Sequence, residues 1–236
     1  MLNKEALEYL VGIGESTNKI TTIDDLPYSH LPIHLVRTPS VDPVVLHTLD
    51  SLVTFIQNHV DGSYLGDCLS IHIESPTKVN LIGPVREDKS REIYAVVKAE
   101  LPDQIRYGQF YDTEDFNISV QSRFVDNPDK KLLLKFTGLI KEENVKQTGD
   151  DGISQAVMIR TGVVSVDQAI VPNPVSLAPW RTFQEVKQPE SMFVFRMKDG
   201  PSAALFEADG GAWRLEAIKN IKEYLEAVLP ETIILA

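Results

Sequence analysis

The stretch 192–225, MFVFRMKDGPSAALFEADGGAWRLEAIKNIKEYL, contains two strand-like runs followed by a helical pattern. The first half predicts a β-hairpin, with Lys-Asp-Gly-Pro as the turn between the two runs. The second half predicts a helix over about residues 212–229, because apolar residues recur there at helical spacing. That apolar face consists of Trp213, Ala217, Ile221, Leu225 and Val228. An antiparallel strand pair and a C-terminal amphipathic helix are therefore the first two features of the predicted fold.

Elsewhere in the chain, strands and helices come in groups instead of alternating. Helical spacing is found near the amino terminus, over residues 43–60 and from residue 113 onward. Strand-like runs are predicted at 68–75, 78–85, 91–101, 130–140 and 154–166. This grouping predicts an α+β fold with largely antiparallel β-sheet and about four helices. We expect one globular unit, residues 1–236, which could divide near residues 102–112.

Composition narrows the class of protein. The chain has 236 residues, of which 43% are hydrophobic and 24% charged, as in ordinary soluble globular proteins. Its formal net charge is −11 and it has no Lys/Arg-rich run, so direct binding to nucleic acid is not expected. No apolar run is long enough for a transmembrane helix, and no membrane partner is expected. Cys68 is the only cysteine, which fits a reducing, intracellular setting.

The segment FEADGG, residues 206–211, is the densest candidate site. A strand that runs through glycines into a helix presents backbone N–H groups to an anion. However, the Lys-Ser/Thr of a phosphate loop is missing, and Glu207 and Asp209 carry the wrong charge for phosphate. The two carboxylates could instead bind Mg²⁺ or Mn²⁺. The favoured interpretation is a structural junction in which Asp209 caps the helix, Gly210 and Gly211 open the turn and Trp213 seals it.

A second pair of carboxylates, Asp150 and Asp151, lies between glycines in GDDGISQ, residues 149–155. This pattern is typical of a turn and does not match the calcium-loop motif. Together with Glu207 and Asp209, the pair could complete a two-metal centre for a hydrolase. Because no local pattern brings the two pairs together, we expect no cofactor and assign no catalytic residue.

The proline-rich segment 173–191, NPVSLAPWRTFQEVKQPES, predicts an extended arm, because proline excludes a central strand. Trp180, Arg181, Phe183 and Lys187 are candidate partner-contact residues, since Trp and Arg are typical of interface hot spots. The alternative is an arm that folds back over its own core. The sequence does not decide between the two.

Several phrases of the sequence resemble a family of uncharacterised bacteriophage and prophage proteins, chiefly from Gram-positive hosts. The phrases are TLDSLVTFI (48–56), DDGISQAVMIRTG (150–162), NPVSLAPWRTFQEVKQPESMFVFRM (173–197) and ALFEADGGAWRLEAIKNIKEYL (204–225). The resemblance extends over about residues 44–229. It implies a phage origin, the host cytoplasm as the location and a role among early phage functions, and it supplies no catalytic residues.

We therefore expect a binding or assembly protein that forms homo-oligomers, with itself and a host protein as its partners. A first alternative is an acidic anti-defence inhibitor that blocks a host nuclease or defence protein. A second alternative is a metal-dependent hydrolase built on Glu207, Asp209, Asp150 and Asp151. An enzyme is less expected than a binding protein.

Overall fold

The structure, a computed structural model, describes nine stretches of the chain. They are residues 3–17, 20–29, 39–60, 69–138, 145–150, 155–161, 165–170, 173–198 and 202–236. In residues 15–17 and in the three strands between 145 and 170, the description covers the backbone alone. The second Asp of the GDDG segment, Asp151, and Cys68 lie outside the described residues.

The described residues form five helices and fourteen strands. The helices are α1 (Lys4–Thr17), α2 (Leu49–Gln57), α3 (Thr113–Arg123), α4 (Pro128–Gly138) and α5 (Trp213–Val228). The strands are β1 (Ile20–Ile23), β2 (Leu26–Ser29), β3 (Val44–Leu46), β4 (Ser70–Ser75), β5 (Lys78–Val85), β6 (Arg91–Lys98), β7 (Tyr111–Asp112), β8 (Val145–Asp150), β9 (Gln155–Thr161), β10 (Ser165–Ile170), β11 (Val175–Leu177), β12 (Ser191–Lys198), β13 (Ser202–Glu207) and β14 (Ile233–Leu235). The predicted α+β class is confirmed.

A five-stranded sheet in the order β14-β4-β5-β6-β3 supports the first hydrophobic core. Its central strands pair antiparallel, whereas the two edge strands β14 and β3 run parallel to their neighbours. The helices α2 and α5 bury Leu49, Leu52, Ile221 and Leu225 against this sheet. The predicted C-terminal amphipathic helix is thus confirmed, and its buried side contributes to this core.

An antiparallel four-stranded sheet in the order β11-β12-β13-β7 supports the second core. The predicted hairpin is confirmed as β12 and β13, with Phe195 paired to Leu205. Phe116 of α3 and Phe136 of α4 pack on Phe195, at ring-centroid distances of 5.7 and 6.1 Å. The chain passes from the first sheet to the second between β6 and β7, a segment that includes residues 102–112. Strands β8, β9 and β10 form a separate antiparallel sheet.

The strand predicted at residues 130–140 is wrong, because residues 128–138 form helix α4. Pro128 occupies the first turn, where its missing N–H costs nothing, and Asn127 accepts a 2.7 Å hydrogen bond from the Lys130 N–H. Burial of Lys130, Leu133 and Phe136 follows a spacing of three residues, which a helix provides and a strand does not.

The helix predicted over 43–60 begins later than expected. Residues 44–46 form β3, which pairs with Ala95–Val97 of β6, and α2 begins only at Leu49. Thr48 is its N-cap and accepts a hydrogen bond from the Ser51 N–H. No local pattern in the sequence indicates that Val44 begins a parallel strand at the edge of the sheet.

Candidate functional site

The two densest stretches of the sequence meet at Arg181. This residue of the arm is 4% exposed, and its Nη1 donates a 2.9 Å hydrogen bond to Glu207 Oε1 at the end of β13. Its Nη2 donates to Ser191 Oγ, and Ser191 in turn donates to Asp209 Oδ2 at 2.5 Å. Glu207 and Asp209 are therefore organised around a guanidinium group of the chain itself.

Aromatic rings complete the surroundings of Arg181. The guanidinium carbon lies 4.1 Å from the centre of the Trp213 ring and 6.0 Å from that of Phe193. Both distances fall within the range of attractive cation–π contacts. Arg181 Nε, Tyr107 Oη and Trp213 Nε1 find no hydrogen-bond partner among the described residues. The cluster is therefore held by charge and stacking more than by a complete set of hydrogen bonds.

Arg181 is placed by its own loop. The buried side chain of Gln188 accepts hydrogen bonds from the backbone N–H groups of Arg181 and Thr182, at 3.0 and 3.1 Å. It donates to the Phe183 carbonyl at 2.8 Å, and Thr182 Oγ1 donates to the Pro76 carbonyl in the turn between β4 and β5 at 2.5 Å. These bonds fix the loop backbone and point Arg181 toward β12 and β13.

The ionisation of the cluster suits a permanent ion pair. Burial raises the pKa of Asp209, but hydrogen bonds from Ser191 and Gly211 and the charge of Arg181 outweigh it, so the pKa lies below its ordinary value. Burial raises the pKa of Tyr107 to about 12. Burial also lowers the pKa of Arg181, while Tyr107, Glu207 and Asp209 oppose that shift. At neutral pH the carboxylate of Asp209 is thus charged and the phenol of Tyr107 is neutral.

Glu207 and Asp209, two of the four candidate metal ligands, do not form a cation site by themselves. Glu207 and Asp209 both lie beside the positive charge of Arg181, which disfavours a metal ion at that point. Asp150 ends β8, and its side chain, like the whole of Asp151, lies outside the described residues. Within the part of the chain that is described, no three His, Cys, Asp or Glu residues form a group suited to a metal.

The junction before α5 differs in detail from the predicted one. Ala212, the residue before the helix, makes no side-chain capping bond. Asp209 lies three residues further back, but its carboxylate accepts hydrogen bonds from the backbone N–H groups of Gly211 (3.0 Å) and of Trp213 at the start of the helix, as the predicted capping role requires. Gly210 and Gly211 have φ values of +61° and +83°, a conformation that favours glycine. The half-buried Trp213 begins the helix and stacks on Arg181.

The arm covers its own core, which is the alternative that the sequence left open. Arg181 and Phe183 are buried inside the chain, and Phe183 belongs to the first core, so neither is available to a partner. Trp180 is half-buried and Lys187 is exposed. These two residues, the remaining candidate partner contacts, line a cavity of about 350 Å³ beside Asn127.

A larger cavity of about 400 Å³ lies where residues 183–185 of the arm meet the start of α2 and the two residues after β6. It is lined by His47, Asp50, Glu100 and Glu185, but each of these groups is already engaged within the chain. Glu185 accepts a 2.7 Å hydrogen bond from the Leu49 N–H, and His47 Nδ1 lies 3.3 Å from Glu100 Oε1. Asp50 accepts a hydrogen bond from Tyr224 Oη. The acidic lining therefore serves α2 and its neighbours.

A group of exposed apolar side chains lies on α1. Five large side chains of this helix are between 45% and 71% exposed, and none of its residues belongs to either core in the described part of the chain. They are Leu7, Tyr9, Leu10, Val11 and Ile13. The helical spacing near the amino terminus corresponds to α1, which continues through Gly12 and Gly14 to Thr17, and these apolar side chains are exposed to solvent.

Among the described residues, no helix combines the length and apolarity needed to cross a membrane. Comparisons of the chain with protein-family models, curated proteins and solved structures give no match. The resemblance to phage proteins stays a prediction.

Proposed function

We propose that this chain is a binding and assembly protein that associates with itself through the apolar face of α1. We define this face by Leu7, Leu10, Val11 and Gly14, whose spacing of three, four and seven residues puts them on one side of the helix. The observation that carries the proposal is the exposure of the three large side chains, each more than half accessible to solvent. Contiguous exposed apolar surface of this kind is typical of interaction sites.

The stability of α1 supports the same conclusion. An isolated helix shorter than about 15 residues is marginal in water, and glycine inside a helix costs about 1 kcal/mol relative to alanine. The helix α1 has 14 residues, contains Gly12 and Gly14, and contributes no residue to the two described cores. Packing against another chain supplies the burial that this helix lacks.

The charges on α1 favour a protein over a lipid surface or nucleic acid. The side opposite the apolar face carries Glu5 and Glu8, whereas helices that bind anionic membranes carry Lys and Arg there. Lys4 is engaged with Glu8 at 3.6 Å. With a net charge of −11, the chain as a whole also repels phosphate-bearing surfaces.

The proposed setting is a phage-infected host cell, with assembly among early phage functions, as the resemblance implies. The second candidate function is inhibition of a basic host nuclease or defence protein, which the same acidic charge favours. The metal-dependent hydrolase gains no support, because both carboxylates are engaged with Arg181. Glu207 accepts a hydrogen bond from Arg181 Nη1, and Asp209 is linked to Arg181 Nη2 through the hydroxyl of Ser191.

The proposal is tested by the mass of the protein in solution as a function of its concentration. We expect the mass to rise above that of one chain between about 1 μM and about 1 mM, because a small apolar interface gives modest affinity. Leu10→Glu should keep the chain monomeric at all concentrations. Leu215→Glu is the matched control, since Leu215 is an exposed leucine on α5 and the change in charge is the same.

The salt dependence separates self-association from the second candidate. Apolar association of an acidic chain should strengthen with salt, because salt screens the repulsion between copies. Binding to a basic host protein should weaken with salt. A strict monomer over the whole range would contradict the proposal.

A further inference from the structure

We infer that two copies of α1 pair in antiparallel orientation, with Leu7 of each copy seated over Gly14 of the other. This inference rests on the proposed self-association and adds its geometry. It starts from two glycines that nothing within the described chain requires. A Cβ atom added at Gly12 or Gly14 would meet no described atom within 4 Å, and neither glycine has a positive φ angle.

The two glycines differ in their position on the helix. Gly14 lies seven residues after Leu7, four after Leu10 and three after Val11, which puts it within the apolar face. Gly12 lies seven residues after Glu5 and four after Glu8, on the polar side. Gly14 therefore leaves a notch in the exposed apolar face, into which a neighbouring helix can move closely.

A second copy of the chain supplies the side chain that fits this notch. In an antiparallel pair centred between Leu10 and Val11, residue numbers that face each other add up to 21. Leu7 then lies opposite Gly14, and Leu10 lies opposite Val11. Because such a pair has a two-fold axis, the same large-on-small contact forms twice.

Charge at the helix ends also favours the antiparallel orientation. The carbonyl end of a helix carries partial negative charge, and the last turn of α1 has no basic residue to offset it. In the antiparallel pair, the end that carries Lys4 lies beside the carbonyl end of the other copy. A parallel pair would put like ends together.

The size of the surface predicts a weak dimer. A helix of 14 residues is about 21 Å long and about 10 Å wide, so each copy would bury a few hundred Å². A standard interface buries about 800 Å² per partner, and the dimer should therefore dissociate in the micromolar range or above. The exposed Ile20 and Ile23 of β1, which follow the helix, could extend the contact.

Matched glutamine substitutions test the notch. Gln is uncharged and a better helix former than Gly, so Gly14→Gln and Gly12→Gln should both raise helix content. We expect Gly14→Gln to weaken the dimer at least tenfold and Gly12→Gln to leave it unchanged or slightly tighter. Equal affinities for the two variants, with Leu10→Glu still monomeric, would overturn the notch and leave the proposed function standing. A monomeric wild type would overturn both.

Single cysteines in a Cys68→Ser background test the orientation. Disulfides need Cα atoms closer than about 7 Å. In the antiparallel pair, the two copies of residue 10 are offset by about 1.5 Å along the axis and the two copies of residue 7 by about 10.5 Å. Leu10→Cys should therefore crosslink readily under mild oxidation and Leu7→Cys should not. Crosslinking of both variants would show a parallel pair and overturn the inference.

Discussion

Arg181 Nη1 donates a 2.9 Å hydrogen bond to Glu207 Oε1, which joins the proline-rich arm to the end of β13. The guanidinium is 4% exposed, whereas the Glu207 side chain is 35% exposed. The pair thus links one fully buried charge to a carboxylate that water can reach. This relationship explains what the carboxylates near α5 do, because it places a positive charge of the chain beside both Glu207 and Asp209.

Removal of Arg181 should cost more stability than removal of Glu207. Arg181→Ala loses the contacts with Glu207, Ser191 and Trp213 and leaves space at a buried site, so we expect a cost of about 3–5 kcal/mol, as for other large buried side chains cut back to alanine. Glu207→Ala should cost about 1–2 kcal/mol, because its partner keeps Ser191 and the aromatic rings. The measurement is urea unfolding, with Lys219→Ala on the exposed Lys219–Glu223 pair as the control, expected within about 0.5 kcal/mol of wild type. Equal costs for Arg181→Ala and Lys219→Ala would contradict the structural role of the cluster.

Stability should fall as pH rises from 10 to 12. Burial raises the pKa of Tyr107 from its ordinary value of 10.0 to about 12 in the folded chain. Between these two values the unfolded chain loses the phenolic proton while the folded chain keeps it, so rising pH favours unfolding. Below pH 10 both states keep the proton and the effect is absent.

The alkaline loss can be assigned with phenylalanine variants. Tyr107→Phe keeps the ring on Phe193, whose centroid is 5.2 Å away, and should show a smaller loss of unfolding free energy between pH 10 and pH 12 than wild type. Part of the loss should remain, because the pKa of Tyr224 is also raised to about 12 by burial and by the bond to Asp50. Tyr28→Phe serves as the control. A loss in Tyr107→Phe that equals the wild-type loss would show that Tyr107 titrates normally.

Divalent metal should not stabilise the chain through Glu207 and Asp209. The charge of Arg181 lies beside both carboxylates and opposes the binding of a second cation. Addition of Mg²⁺ or Mn²⁺ should therefore change the melting temperature of neither the wild type nor Asp209→Asn. The measurement is thermal unfolding with and without metal. A rise in wild type that Asp209→Asn abolishes would revive the metal-dependent hydrolase.

Elements with a clear local period were predictable from the sequence. The hairpin of β12 and β13 and the helix α5 follow directly from alternation, a turn motif and helical spacing. The error at α4 came from three consecutive leucines, which resemble a strand. No local pattern indicates that Lys130 is buried, with its Nζ donating to the carbonyl of Phe124 at 2.7 Å and to Asp126.

The candidate site was predictable only in its parts. Both segments were singled out, but Arg181 and Glu207 are 26 residues apart and no local pattern pairs them. Likewise, the spacing of Leu7, Leu10 and Val11 predicts an apolar helix face whether that face is buried or exposed. Whether this face is exposed depends on the rest of the fold. None of the described residues of α1 belongs to either core.

Sedimentation equilibrium on wild type, Leu10→Glu and Leu215→Glu tests self-association most directly. Each wild-type dimer would bury two copies of Leu10, and burial of one leucine contributes about 1.5–3 kcal/mol. Leu10→Glu should therefore weaken the dimer by at least about a hundredfold. We predict a reversible dimer for wild type and Leu215→Glu and a monomer for Leu10→Glu. A monomer in all three proteins, or an equal dimer in all three, would contradict assembly through α1.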